Sequence, residues 1–130
     1  MPEPSPPLAD LAPLLAADDT VRAVVARAPT VAVPAAARAI FVAALAGVTT
    51  RRPVLVAVPT GADADRLAHD LACFLPPEVV ELFPAWETLP FERVSPSLET
   101  MGRRLRVMWR LRAGGEHLPD VLVAPVRALV

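Results

Sequence analysis

A chain of 130 residues that is 54% hydrophobic and 21% charged, with only five glycines, has enough apolar matter for one buried core, which excludes a wholly disordered polypeptide. Its formal net charge of −1 excludes attraction of the whole molecule to a phosphate backbone, so any nucleic-acid contact has to be local. All 13 basic residues are arginine, a bias that a GC-rich genome explains, and the absence of lysine rules out every mechanism that needs one.

The first seven residues, "MPEPSPP", hold four prolines and read as a disordered leader over 1–7. They have no basic n-region, and no apolar stretch of the chain reaches the roughly 20 residues of a membrane span, so a cytoplasmic location without membrane contact is expected. The single cysteine, Cys73, sits in an apolar helical pattern without His or Cys at ligand spacing; it reads as a packing residue in a reducing compartment. In "LADLAPLLAADDTVRAVVARA" (8–28), Leu8, Leu11, Leu14 and Leu15 recur at helical spacing, and "DDT" breaks the run with residues that suit a helix start. Two short helices are expected there.

"TVAV" (30–33) is a short apolar run bounded by prolines, a candidate buried strand, and "AAARAIFVAALAG" (35–47) follows as a helix ending at Gly47. "RPVLVAVP" (52–59) is a continuous Val/Leu run of the kind found in strands covered on both faces. "TGADADRLAHDLACFL" (60–75) opens with a capping hydroxyl and early acids and repeats apolar residues at Leu67, Leu71 and Phe74/Leu75, which predicts a helix. "VVELF" (79–83) is a strand, and a proline-bounded loop over 84–95 carries Trp86, Leu89 and Phe91. "PSLETMGRRLRVMWRLRAG" (96–114) is a helix with Leu98, Met101, Leu105 and Met108 or Trp109 on one face. "DVLVAP" (120–125) is a last strand, and "VRALV" begins a helix that the chain end cuts short. Strands alternating with helices of this length predict an α/β fold with a parallel sheet in three layers, here the first part of a domain over 29–130.

The start of such a domain invites a search for a phosphate loop, which needs glycines so that backbone N–H groups converge, a lysine for the outer phosphates and a hydroxyl for magnesium. The equivalent stretch here, "VPAAARA" (33–39), has none of these, and Pro34 removes a donor. Arg38 could meet a phosphate or lie on a solvated face. The carboxylate pairs Asp63/Asp65 and Glu78/Glu81 fit helix starts and solvated faces; His69 and His117 stand far apart; Asp120 reads as a turn residue. No catalytic, cofactor-binding or metal-binding residue is assigned. Binding is better supported: Arg103, Arg104, Arg106, Arg110 and Arg112 crowd one helix and could track phosphates, while Trp86 and Phe91 could stack on bases or pack on a neighbouring domain.

"FPAWETLPFERVSPSLETMGRRLRVMWRL", with a following "VLVAPVRAL", resembles the N-terminal region of the bacterial transcription-repair coupling factors, the Mfd family. "RPVLVAVPTGADADRLAHDL" is similar to that family's second strand and helix, and "VPAAARAIFVAALA" to its decayed phosphate-loop region. The resemblance covers roughly residues 30–130. It implies a RecA-like, P-loop-NTPase-like domain 1a of a module similar to UvrB, with a degenerate nucleotide loop. In the parent protein it implies an ATP-dependent translocase of double-stranded DNA that displaces stalled RNA polymerase and recruits UvrA, with ATP and magnesium bound downstream. UvrB itself keeps an intact G-x-x-G-x-G-K-T loop and a damage-probing hairpin, for which the 84–95 connection is a short substitute. On this reading the chain is a non-hydrolysing scaffold without a cofactor, and Trp86, Leu89, Phe91, Arg103 and Arg104 are interaction candidates toward other domains of the same chain. The alternative is a stand-alone α/β domain that binds nucleic acid through its arginine-rich helix.

Overall fold

Three parallel strands, β1 (Val54–Val58), β2 (Val80–Leu82) and β3 (Val121–Pro125), lie in the order β1-β3-β2, so the last strand in sequence is the central one. The computed structural model describes residues 5–27, 30–87, 95 and 97–130. Val54 and Val80 both register with Val121, and Leu55 and Glu81 with Leu122. The chain leaves β1, passes over the place of β3 to reach β2, and then steps back. Right-handed crossovers made in opposite directions deposit their helices on opposite faces. Helix α4 (Gly61–Leu71), in the first crossover, and α5 (Leu98–Ala113), in the second, therefore enclose the sheet as a three-layer α/β unit.

The first face holds the core. Val54, Val56 and Val58, Val80 and Leu82, and Val121 and Val123 alternate onto it and meet Ala64, Leu67 and Leu71 of α4 and Ala39, Val42, Ala43 and Ala46 of α3 (Arg38–Val48). Leu71, Val121 and Val123 are fully buried, and each such side chain contributes roughly 1.5–3 kcal/mol. Helix α4 starts where it does because Thr60 caps it: its Oγ1 accepts the Asp63 N–H at 3.1 Å and donates to the Asp63 carboxylate at 2.7 Å. Helices α1 (Leu11–Ala16) and α2 (Asp19–Arg27) pack on α3, with Ala12 entering the core. The predicted break at "DDT" is the cap of α2, where the Asp18 carboxylate accepts the Thr20 N–H at 2.7 Å. The first turn preceding α1 is tied down by the Leu8 N–H, which donates to the Cys73 carbonyl at 2.8 Å.

Three expected elements differ in the structure. "TVAV" is not a strand: residues 30–34 have no regular structure and Val31 is exposed. The run is too short to bury much, Pro34 has no N–H to give a ladder, and among the described residues β1 pairs with β3 alone. Gly47 does not end α3, which continues to Val48 and is closed by Thr49, whose N–H donates to Leu45 at 2.9 Å. "VRALV" forms a single 3-10 turn over Val126–Ala128.

The second face is covered unevenly. Along its middle row Leu122 and Glu81 are buried beneath α5, while Leu55 on the outer strand is 52% exposed. Helix α5 rests on the sheet through Thr100 and Val107, with Arg104 and Arg110 half-buried beside them. Its apolar stripe of Leu98, Leu105, Met108 and Trp109 faces away from the sheet, toward solvent.

Candidate functional site

In open α/β sheets the carboxyl ends of the strands are where ligands and partners are met. Here that end of β2 runs into "FPAWE" and, after the loop, into the N-terminus of α5. Arg104 organises the junction. Its guanidinium lies 4.0 Å from the centroid of the Phe83 ring and 4.5 Å from that of Trp86, and it donates to the Pro84 carbonyl at 2.6 Å. A planar cation spread over two aromatic faces while bonding a carbonyl is an arrangement a lysine could not reproduce. The Nε–H is buried without a partner, and burial lowers the pKa of the group from its ordinary value.

Next along the chain, Glu87 closes the junction. Its carboxylate accepts the Thr100 hydroxyl at 2.7 Å, the Ser97 hydroxyl at 2.9 Å and the Ser97 N–H at 3.1 Å, while the Ser97 Oγ accepts the Thr100 N–H at 3.1 Å as the N-cap of α5. An acid at the positive end of a helix dipole, bonded to two hydroxyls, is held below its usual carboxylate range, chiefly by Thr100 and then by Ser97. Residues 83–87 are thus fastened to α5 at two points one turn apart.

Of the five interaction candidates, Trp86 and Arg104 are brought together and Arg103 sits on the same helix. Leu89 and Phe91 lie outside the described residues. Trp86 keeps 41% of its surface exposed, so it remains available to a neighbour on the side away from Arg104. Arg103 is exposed and pairs with Glu99 at 2.8 Å. Arg106 and Arg110 both pair with one oxygen of Glu81, at 2.9 and 2.7 Å, and Arg110 also donates to the His117 carbonyl at 2.7 Å. Four of the helix's five arginines therefore have partners inside the chain, whereas Arg112 has neither an ion pair nor a side-chain hydrogen bond among the described residues.

Glu81 corrects the expectation of a solvated carboxylate pair. Glu78 is exposed, but Glu81, on the edge strand β2, is buried beneath α5 on the second face, where two arginines compensate its charge. Sequence reasoning missed it, along with Phe83 and Glu87. An acid inside an otherwise apolar strand was its signal, and the "S-L-E-T" helix start was the signal for the Glu87 cap. Asp120 is likewise more than a turn residue: its carboxylate bonds the Arg52 guanidinium, and its backbone bonds both Val54 and Val79.

The stretch compared with a phosphate loop, Ala35–Ala37, is a 3-10 turn leading into α3. The Ala37 N–H donates to the Pro34 carbonyl at 2.9 Å and the Arg38 N–H to the Ala35 carbonyl, so these donors are directed into the turn. Arg38 and His69 are exposed, and His117 rests against Trp109. No three His, Cys, Asp or Glu residues among the described ones are grouped to hold a metal ion. A cavity of about 590 Å³ between α1 and α3, lined by Ala12, Ala16, Ala43 and Phe74 with Arg22 and Arg52 at its rim, opens at the amino ends of the strands, away from the Trp86 junction.

No protein-family model matches the chain. The transcription-repair-coupling factors of Mycobacterium bovis and Mycobacterium tuberculosis are each 40% identical to it over 101 residues. That stretch is 78% of this chain and 8% of the length of each relative. Across this matched stretch, the chain belongs to the transcription-repair-coupling factor family.

Proposed function

We propose that the chain forms the first part of the UvrB-like, RecA-fold domain 1a of a transcription-repair coupling factor, and that it serves there as a scaffold rather than as a nucleotidase. The observation that carries this reading is the 40% identity over 101 residues to two proteins of that name. The turn over 35–37 supports the scaffold role, since the Ala37 and Arg38 N–H groups are spent locally and no strand leads into it among the described residues. ATP and magnesium, double-stranded DNA, RNA polymerase and UvrA are assigned to the remainder of the longer polypeptide, in the cytoplasm. No helix among the described residues is long and apolar enough to cross a membrane.

Within that polypeptide the Trp86 junction presents its exposed indole face to an adjacent domain, in line with packing rather than base stacking. Phosphate tracking by α5 has less support, because four of its five arginines are already engaged. The test is an exchange: a mycobacterial coupling factor whose matching segment is replaced by this chain retains preferential repair of the transcribed strand in cells lacking their own copy. Loss of that preference by a chimaera that accumulates to normal levels overturns the proposal.

A further inference from the structure

Helix α5 sets Thr100, Arg104, Val107 and Arg110 toward the sheet and leaves most of its apolar side chains facing away. Leu98 is 85%, Leu105 59%, Met108 56% and Trp109 57% exposed, and Met101 lies in the same stripe. At about 100° per residue these five fall within an arc of roughly 100°. They sit across the helix from Thr100 and Val107, with Arg104 at the border of the stripe. We propose that this stripe docks an amphipathic helix of a partner polypeptide, apolar along one seam and carrying carboxylates beside it.

The spacing 98, 101, 105, 108 alternates steps of three and four residues, which is the seam one helix offers to another. The side chains are those of an interface core: two methionines that adapt to a partner's shape, two leucines and a tryptophan. Trp109 is ordered in advance by His117, the ring centroids lying 5.0 Å apart at an interplanar angle of 46°. Arg112 continues the stripe by one turn, is exposed and has no ion-pair partner among the described residues, so it selects for a carboxylate in the occupant. The same charge disfavours parallel pairing with a second copy of this chain, which sets Arg112 against its own equivalent. The inference stands on the exposed stripe and does not depend on the coupling-factor reading.

The probe is a synthetic helical peptide of about three heptads, leucine at its a and d positions and glutamate beside them, with a lysine-flanked version as its counterpart. Titrated into the isotope-labelled 130-residue chain, the glutamate peptide shifts the α5 amide and Trp109 indole signals saturably, and the lysine peptide does so more weakly. Leu105→Asp weakens binding about tenfold or more, and Arg112→Glu reverses the preference between the peptides. Both positions are exposed, so the circular dichroism spectrum is unchanged, and Met108→Ala reads the same surface should Leu105→Asp perturb the fold. Shifts that fail to saturate, that fall elsewhere, or that are equal for the two peptides overturn the proposal. So does self-association of the chain that Leu105→Asp abolishes, which assigns the stripe to a second copy instead.

Discussion

One carboxylate, that of Glu87, joins the two ends of the segment between β2 and α5. It takes three hydrogen bonds from Ser97 and Thr100 at the start of α5, and Trp86, one residue earlier, is held by Arg104 two turns into the same helix. "W-E" is therefore a structural pair, one residue gripping the helix flank and the other its cap. Those bonds favour the ionised form of Glu87 and lower its pKa in the folded state. A group whose folded pKa is depressed contributes stability that is complete above its unfolded value, about pH 4.3 for glutamate, and is lost as the pH falls through the lower folded value. The urea midpoint of the wild-type chain is expected to drop more steeply than that of Glu87→Gln below about pH 4.3. Asp18 is shifted in the same direction by Thr20, but it is common to both proteins and cancels in the comparison. Parallel pH profiles for the two proteins exclude this role for Glu87.

At the scale of elements, α5 departs furthest from its sequence pattern. Its apolar period identifies a stripe but not the direction in which the stripe points. The helix is oriented instead by polar groups: Glu81 in β2 draws Arg106 and Arg110 inward, and Phe83 with Trp86 receives Arg104. Arg110 carries the main part of the Glu81 pair, because its side chain is 12% exposed against 65% for Arg106, where solvent screens the attraction. Glu81→Gln leaves Arg110 nearly buried without a counter-charge, and a loss of about 3 kcal/mol is expected in urea unfolding. Combining Glu81→Leu with Arg110→Met removes both charges and costs much less than the single changes imply, a coupling that a double-mutant cycle measures. Additive effects would show that the pair does not orient α5. Elsewhere local rules sufficed: Thr60 and Asp63 marked α4, and continuous Val/Leu/Ala runs marked β1 and β3. "TVAV" misled because valine content says nothing about a neighbouring strand. The acid inside the apolar strand β2 was visible, but its pairing was not, because its partners lie more than twenty residues away on a helix whose orientation they themselves decide.

For the molecule as a whole, the question is whether this α/β unit can hold a triphosphate. A phosphate loop works because it leaves a strand and turns its successive N–H groups outward toward one point, before a helix whose dipole adds to them. Here the turn into α3 follows an irregular segment, Pro34 has no N–H, and the Ala37 and Arg38 donors are satisfied within the turn. Filling such a site would require breaking those bonds and supplying a counter-charge that a lysine-free chain can draw only from arginine. The 130-residue chain is therefore expected to show no saturable shift of its melting temperature with ATP and magnesium. The measurement is sensitive enough to decide. Ligand at one hundred times its Kd adds about 2.7 kcal/mol to the folded state, and about 1 kcal/mol moves the midpoint of a domain this size by several degrees. A shift that grows and saturates with ATP, and that Arg38→Ala removes, would restore nucleotide binding to the start of α3; a flat curve leaves this unit the task of holding its neighbours in place.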